Sequence, residues 1–574
     1  MTGRRGVYFV LLTMTVGFVG KVGAVEVGEE LSLAPPGPRE FPRDPFIPEG
    51  VGETASGGPA QVWVRGAYTS IQVNVTALGE NILGDAANEP SIAIDPLNPA
   101  RMVIGWRQFN TVASDFRQAG VAYSHDSGQT WTKNTLDPGQ FQSDPVLAAD
   151  SSGNFYYVSL FIVRSPFDTY WLEVFKSVDG GMTWLPPIPA FGGDKEWMSV
   201  DRTGGIGDGH IYVNWNVSFS CCSPNDFARS IDEGASFQPP LPIPQPSIKW
   251  GTSDVAPDGE LYLAGVNVFQ AGHVVAKSSN AQDSSVAPTF DFVASVDLGG
   301  VTAGFVSASP NPVGILGQVW IATDHSAGAR RGNVYVLGSV NPTGLDPLDI
   351  MFIRSADGGM TWSTPVRVND DPAGTNAWQW FGTMSVAPNG RIDAVWNDTR
   401  NDPAPADAVF VSELFYSFSL DGGVSWSSNT PVSPAFNPHL GYPRQNKLGD
   451  YYHMISDIGG ASLAYAATFN GEQDVYFLRI PADCDDDGVD DSTEFSEGTA
   501  SDCNENSIPD QCEYHADVNG DGRTTLDDFA SYTDKATGPG AVDLADCDAL
   551  LDIDHDSDID LRDFAEFQRV FTGP

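Results

Sequence analysis

One octapeptide, Ser-x-Asp-x-Gly-x-Thr/Ser-Trp/Phe, occurs five times along the middle of the chain, and such an array dictates a repeat architecture. The copies occupy 124–131, 177–184, 230–237, 355–362 and 419–426. Each predicts a hairpin turn: Ser and Asp oxygens bond nearby backbone N–H groups, Gly supplies a positive φ, and the aromatic ring closes over the hairpin. The first three aspartates, Asp126, Asp179 and Asp232, lie 53 residues apart, a length that holds one four-stranded unit.

The octapeptide resembles the Asp box of sialidase-type (BNR repeat) β-propellers, in which it joins the two outer strands of a blade, away from the central pocket. The resemblance implies an all-β, seven-bladed Asp-box β-propeller over 60–480, with six blades as the alternative count. Blade openings are read at Glu89-Pro-Ser-Ile, Asp144-Pro-Val-Leu, Glu196-Trp-Met-Ser, Ser253-Asp254-Val, Val319-Trp-Ile, Phe381-Gly-Thr-Met and Asp450-Tyr-Tyr-His. The last repeat, ending near Ile480, has no octapeptide. Strand-like 61–65 or 71–75 is expected to complete it and close the ring, leaving no exposed sheet edge.

At 574 residues the chain is long enough for one large core plus small appended modules. Its 60 Gly and 41 Pro suit a turn-rich all-β protein. A formal net charge of −45 repels phosphate backbones and excludes nucleic acid as a partner. Arg4 and Arg5, an apolar run over 7–19 and Val22-Gly-Ala24 read as a secretory signal peptide at 1–24, which places the protein outside the cell or on its surface. No later segment is long and apolar enough for a transmembrane helix, and the Pro/Gly-rich stretch 25–59 reads as an extended linker. Six cysteines fit an oxidising compartment. Adjacent Cys221 and Cys222 form either a vicinal disulfide or two buried thiols, while Cys484, Cys503, Cys512 and Cys547 allow two bridges in three connectivities.

From Pro481 onward the composition turns sharply acidic, and the acids are spaced. Asp517, Asn519, Asp521, Arg523 (through its carbonyl), Thr525 and Asp528 follow the pattern of a calcium loop, with Gly522 at the sharp turn. Asp552, Asp554, Asp556, Asp558, Asp560 and Asp563 repeat it, with Ser557 where Gly is usual. An apolar helical stretch follows each loop, and the pair at 514–574 resembles a dockerin, which implies a cohesin-like protein partner. Between it and the propeller, at 481–513, two Cys-containing loops resemble thrombospondin type 3 repeats. Their oxygen ligands are Asp483, Asp485, Asp487, Asp491 and Glu494, then Asp502, Asn504, Asn506, Asp510 and Glu513. Calcium is the expected cofactor, because so many anions repel one another without it; a flexible acidic spacer is the alternative.

Within the propeller, residues that open innermost strands sit near the axis, so Glu89, Asp144, Glu196, Asp254 and Asp450 are expected to converge on one rim. Such a ring either does general acid–base work or holds a cation, or else merely caps strand ends. The sialidase resemblance implies an arginine clamp from Arg107, Arg400 and Arg444, a nucleophile at Tyr451 and a pocket acid at Asp398. The family's opening Arg-Ile-Pro is absent, however, and Glu89 stands in its place to repel a carboxylate. The resulting expectation is an exported calcium-binding propeller that recognises a glycan or surface polymer, with a tail for assembly; a sialidase-like glycoside hydrolase is the alternative.

Overall fold

The structure, a computed structural model, describes residues 41–48, 56–164, 168–218, 220–267, 272–342, 344, 346–485, 487–502, 507–512, 525–540, 551–553 and 558–571. The proposed signal peptide 1–24, most of the proposed linker, and Cys503 and Cys547 lie outside the described residues. Seven antiparallel sheets form around one axis as the blades of a β-propeller. Blades 1 to 6 are built from 86–135, 142–191, 197–230, 248–296, 300–367 and 379–431, and blade 7 from 453–481 together with 62–72. Their innermost strands neighbour one another in a closed cycle that returns from blade 7 to blade 1.

Blade stacking explains the apolar runs. The second strands Met102–Phe109, Leu261–Asn267 and Gly460–Ala467 are buried at every position, because a neighbouring blade covers each face. Blade 3 departs from four strands: after Phe227–Ser230 its outer segment returns only as a bridge between Phe227 and Leu241.

Closure uses the first of the expected segments, as Val62–Arg65, together with a strand at Tyr68–Gln72 that begins three residues before the expected 71–75. Tyr68–Gln72 pairs with Asp474–Pro481, in register Ser70↔Leu478 and Ile71↔Phe477, and Val62–Arg65 adds a fifth strand outside it. Blade 7 therefore has no octapeptide for a topological reason. Its third and fourth strands are not consecutive in the chain, so no hairpin joins them.

The octapeptides form the expected turns. Ser177 Oγ accepts from the Gly181 N–H (3.0 Å) and donates to Asp179 (2.9 Å), whose carboxylate accepts from the Thr183 N–H (2.9 Å) and hydroxyl (2.5 Å). The aromatic ring does more than close its own hairpin. Trp131 in blade 1 packs on Phe477 of blade 7 at 5.6 Å, and Trp426 in blade 6 on Phe352 of blade 5 at 5.3 Å. A Cβ on Gly128 would lie 2.3 Å from Phe477, and one on Gly423 2.1 Å from Phe352. Both glycines have positive φ (81° and 80°), so each position needs glycine for conformation and for clearance. The repeat is thus an inter-blade staple as well as a turn.

Cys221 and Cys222 are bonded to each other, and Cys484 is bonded to Cys512. Residues 41–48, within the proposed linker, lie against the propeller: the Arg43 and Asp44 N–H groups donate to Asp115, and Phe46 packs on Phe116 at 5.7 Å. Beyond the propeller come helix α1 (Asp491–Glu497), helix α2 (Leu526–Lys535) and helix α3 (Leu561–Val570). Asp490 caps α1 and Asp560 caps α3. Phe529 of α2 meets Phe564 of α3 at 5.5 Å over a small core of Tyr532, Leu551 and Ile559. Among the described residues no helix is long and apolar enough to cross a membrane.

Candidate functional site

Every blade has one residue of positive φ early in its inner strand or just before it: Glu89 (50°), Asp144 (49°), Lys195 (55°), Trp250 (56°), Gly317 (137°), Phe381 (59°) and Gly449 (102°). In blades 1, 2 and 6 this coincides with a shift of register between the first two strands. Such a bulge re-aims side chains. A left-handed residue other than glycine costs roughly 1–2 kcal/mol, so the five that are not glycine are held there by the surrounding packing.

Glu89, Asp144 and Lys195, at three of these positions, join Arg107, Lys447 and Asp450 in one buried cluster. Lys195 contacts Asp144 (2.8 Å) and Asp450, and lies 3.9 Å from Glu89. Lys447 contacts Asp450 (2.7 Å) and Glu89 (3.3 Å), and Arg107 reaches Glu89 at 3.2 Å. All six are buried. Burial alone would raise Asp144 and Asp450, but Lys195, Lys447 and Arg107 outweigh it and hold both carboxyls below the usual range. Burial pushes Glu89 up to about 8 despite Arg107 and Lys195. Burial, reinforced by Asp144, also drives Glu196 well above the carboxylate range. Reading the sequence missed Lys195 and Lys447, which make this an ion network. The available signal was Lys195 standing in the same register as Glu89 and Asp144.

Four of the five expected rim carboxylates belong to this end of the axis; Asp254 does not. Blade 4 opens at Trp250, so Asp254 sits farther along the strand, toward the octapeptide face, where it accepts from the Thr323 N–H and hydroxyl, both at 2.7 Å. The expected arginine clamp does not assemble. Arg444 is exposed and pairs with Asp44 at 3.0 Å. Arg400 is held by Asp398 and Asp370 and lies over the Phe415 ring at 4.3 Å. Burial raises Asp398, with Arg400 opposing, while Asp398 also accepts from Trp396 Nε1 at 2.9 Å. Tyr451 donates to the Pro145 carbonyl at 2.8 Å, and burial raises its hydroxyl well above the usual value, so it is not poised as a nucleophile.

The other end of the axis is open. A cavity of about 200 Å³ is lined by the inner strands of all seven blades. Its floor is aromatic: Trp197 and Trp320 meet edge to face at 5.0 Å, with His453 5.3 Å from Trp197. The Ile92 N–H points to His453 Nδ1 at 3.4 Å and Ser91 Oγ lies 2.8 Å from it; Ser91 in turn accepts from the Leu147 N–H. Nδ1 is therefore an acceptor and Nε2 carries the proton.

In the tail, carboxylate oxygens of Asp483, Asp485 and Asp487 gather within 4.8 Å of one another, as do those of Asp558, Asp560 and Asp563. Both sets fit a hard cation such as calcium in donor chemistry. Glu494 Oε2, on the helix that follows the first set, and Asp558 Oδ1, within the second, are buried without a hydrogen-bond partner among the described residues. Asp491 accepts from the Cys484 N–H, and Gln511 reaches Asp485 at 2.9 Å, so Asp491 and the segment around Cys512 fold onto the first set. Thr525 donates its N–H to Asp528 at 2.8 Å, and Ile553 its N–H to Asp563 at 2.7 Å. Asp502, Asp510 and Asp552 are described but join neither set, whereas Asn504, Asn506, Glu513, Asp517, Asn519, Asp521, Arg523, Asp554 and Asp556 lie outside the described residues.

No protein-family model and no curated protein matches the chain. Solved structures similar to it include a protein of unknown function from Dyadobacter fermentans, at 14% identity over 72% of this chain and 98% of that one, TM-score 0.40. NanB sialidase from Streptococcus pneumoniae matches at 9% identity over 57% and 66%, TM-score 0.40. The GH74 xyloglucanase from Xanthomonas campestris matches at 15% identity over 72% and 59%, TM-score 0.34. Likeness at this level carries nothing about activity, and what stands is the architecture: the chain is a seven-bladed β-propeller.

Proposed function

We propose that the protein is an exported propeller that recognises a glycan or surface polymer, with a calcium-binding tail that serves assembly through a cohesin-like partner. The observation that favours binding over hydrolysis is the fate of the strand-opening carboxylates. Glu89, Asp144 and Asp450 are buried and matched by Arg107, Lys195 and Lys447, so none is presented to a substrate. The open end of the axis instead offers a cavity with an aromatic floor and polar walls, the composition of a small-molecule site.

One feature speaks for the hydrolase. Glu89 is raised to about 8 while Asp144 is held low, the divergence that separates an acid from its partner carboxylate. The test is a glycan array run beside a hydrolysis screen on the full chain. Binding without turnover is the expected result. Sugar release that disappears in Glu89→Gln would establish the hydrolase instead.

A further inference from the structure

The axial cavity opens on the octapeptide face, at the opposite end from the buried ion network. Its charged lining residues other than histidine are one cation and one anion, Arg202 and Asp254. Arg202 follows the inner strand of blade 3, is exposed, and makes no hydrogen bond or ion pair among the described residues. Its five N–H donors are therefore unspent, with Asp254 the carboxylate that acts on its charge, in a protein whose 30 Lys and Arg face 75 Asp and Glu. Asp254 spends Oδ2 on Thr323, and its Oδ1 enters no hydrogen bond among the described residues. Ser456 Oγ on the blade 7 wall is buried and has no partner either. His325 turns Nε2 to the Val255 carbonyl at 2.9 Å.

These groups select a ligand by charge, shape and size. Arg202 and Asp254 cancel formally, so the lining favours neither ion, and the net charge of −45 repels anions before they arrive. A donor fork, a carboxylate acceptor and a serine hydroxyl match a molecule that carries adjacent hydroxyls. The Trp197 and Trp320 rings below supply an apolar surface for its ring face. At about 200 Å³ the cavity is smaller than the roughly 300–1,000 Å³ of drug-sized sites, which suits one ring rather than a chain laid across it.

We propose that this cavity binds one uncharged polyhydroxylated ring, the terminal sugar of a neutral glycan, with Arg202 and Asp254 as its polar anchors. The assignment rests on the recognition function proposed above and adds to it the location, the anchors and the chain-end mode.

The experiment uses the full chain and an array of glycans ending in glucose, galactose, mannose or N-acetylglucosamine, beside acidic termini ending in glucuronate or sialic acid. Hits are then titrated calorimetrically. A neutral terminus should bind the parent and lose about ten-fold or more in affinity in Arg202→Ala and in Asp254→Asn. Both variants should keep the parent's melting temperature. Arg444→Ala, on the surface beside Asp44, should bind like the parent. A neutral glycan bound equally by parent, Arg202→Ala and Asp254→Asn would move the site elsewhere and leave the recognition reading intact. Preference for acidic termini would overturn the ligand class. Binding of nothing on the array would remove both proposals.

Discussion

The hydroxyls of Ser70 and Tyr465 meet at 2.6 Å inside blade 7, although 395 residues separate them in the chain. This contact marks the seam at which the N-terminal strand completes the last blade. Deleting 60–75 should expose the edge of Asp474–Pro481, with Val475 and Phe477 otherwise buried, to pairing with other chains. Light scattering should show aggregation well below the parent's unfolding temperature. A monodisperse deletion variant with unchanged stability would show that the seam does not hold the ring.

Gly423→Ala should destabilise the propeller by about 1–3 kcal/mol, because the new methyl meets Phe352 and the backbone has positive φ. Ser177→Ala should cost about 1–2 kcal/mol by stranding the buried Gly181 N–H. Urea unfolding measures both. Neither should alter ligand affinity.

Lys195→Met should cost about 3–5 kcal/mol, since it leaves Asp144 and Asp450 buried with one fewer cation. The double variant Lys195→Met with Asp144→Asn should be more stable than the single one. Double-mutant analysis of denaturation midpoints decides this, and simple additivity would show that the pair is not coupled.

His273 is buried in blade 4 beside Thr302, and burial depresses it to about 4 although Asp297 opposes the shift. Between pH 6.5 and 4 the unfolded chain takes up a proton that the folded chain refuses. Its neutral-form stability is therefore present above 6.5 and lost as pH falls, by up to about 1.4 kcal/mol per pH unit. His273→Gln should flatten the fall in melting temperature over this window. An unchanged pH profile would refute the assignment.

Chelation should unfold the tail and leave the propeller's thermal transition in place, because without a cation the carboxylates of Asp483, Asp485 and Asp487 and of Asp558, Asp560 and Asp563 repel one another. Glu494→Gln should weaken the first site by about ten-fold. Calcium calorimetry with circular dichroism measures both, and helix content insensitive to chelator would dismiss the calcium reading.

The hairpins were legible because each octapeptide writes its turn in residue types: Ser177, Asp179 and Gly181 all act through side-chain hydrogen bonds or glycine geometry. Strand openings were harder to place. They are specified by a left-handed backbone that Glu89, Lys195, Trp250 and Phe381 share without sharing any chemistry. Asp254 was misplaced for that reason. The cavity was invisible for a related one: Arg202 and Ser456 come from blades 3 and 7, and only the closed ring sets them around one axis.

Because blade 7 borrows its outer strands from 62–72, the ring behaves like a bracelet whose clasp is split between its two ends. During synthesis the first half of the clasp emerges before any blade, and its inner edge, Tyr68–Gln72, has no sheet partner until Asp474–Pro481 follows. The acidic tail is made later still. The ring therefore cannot close until nearly the whole propeller has been made.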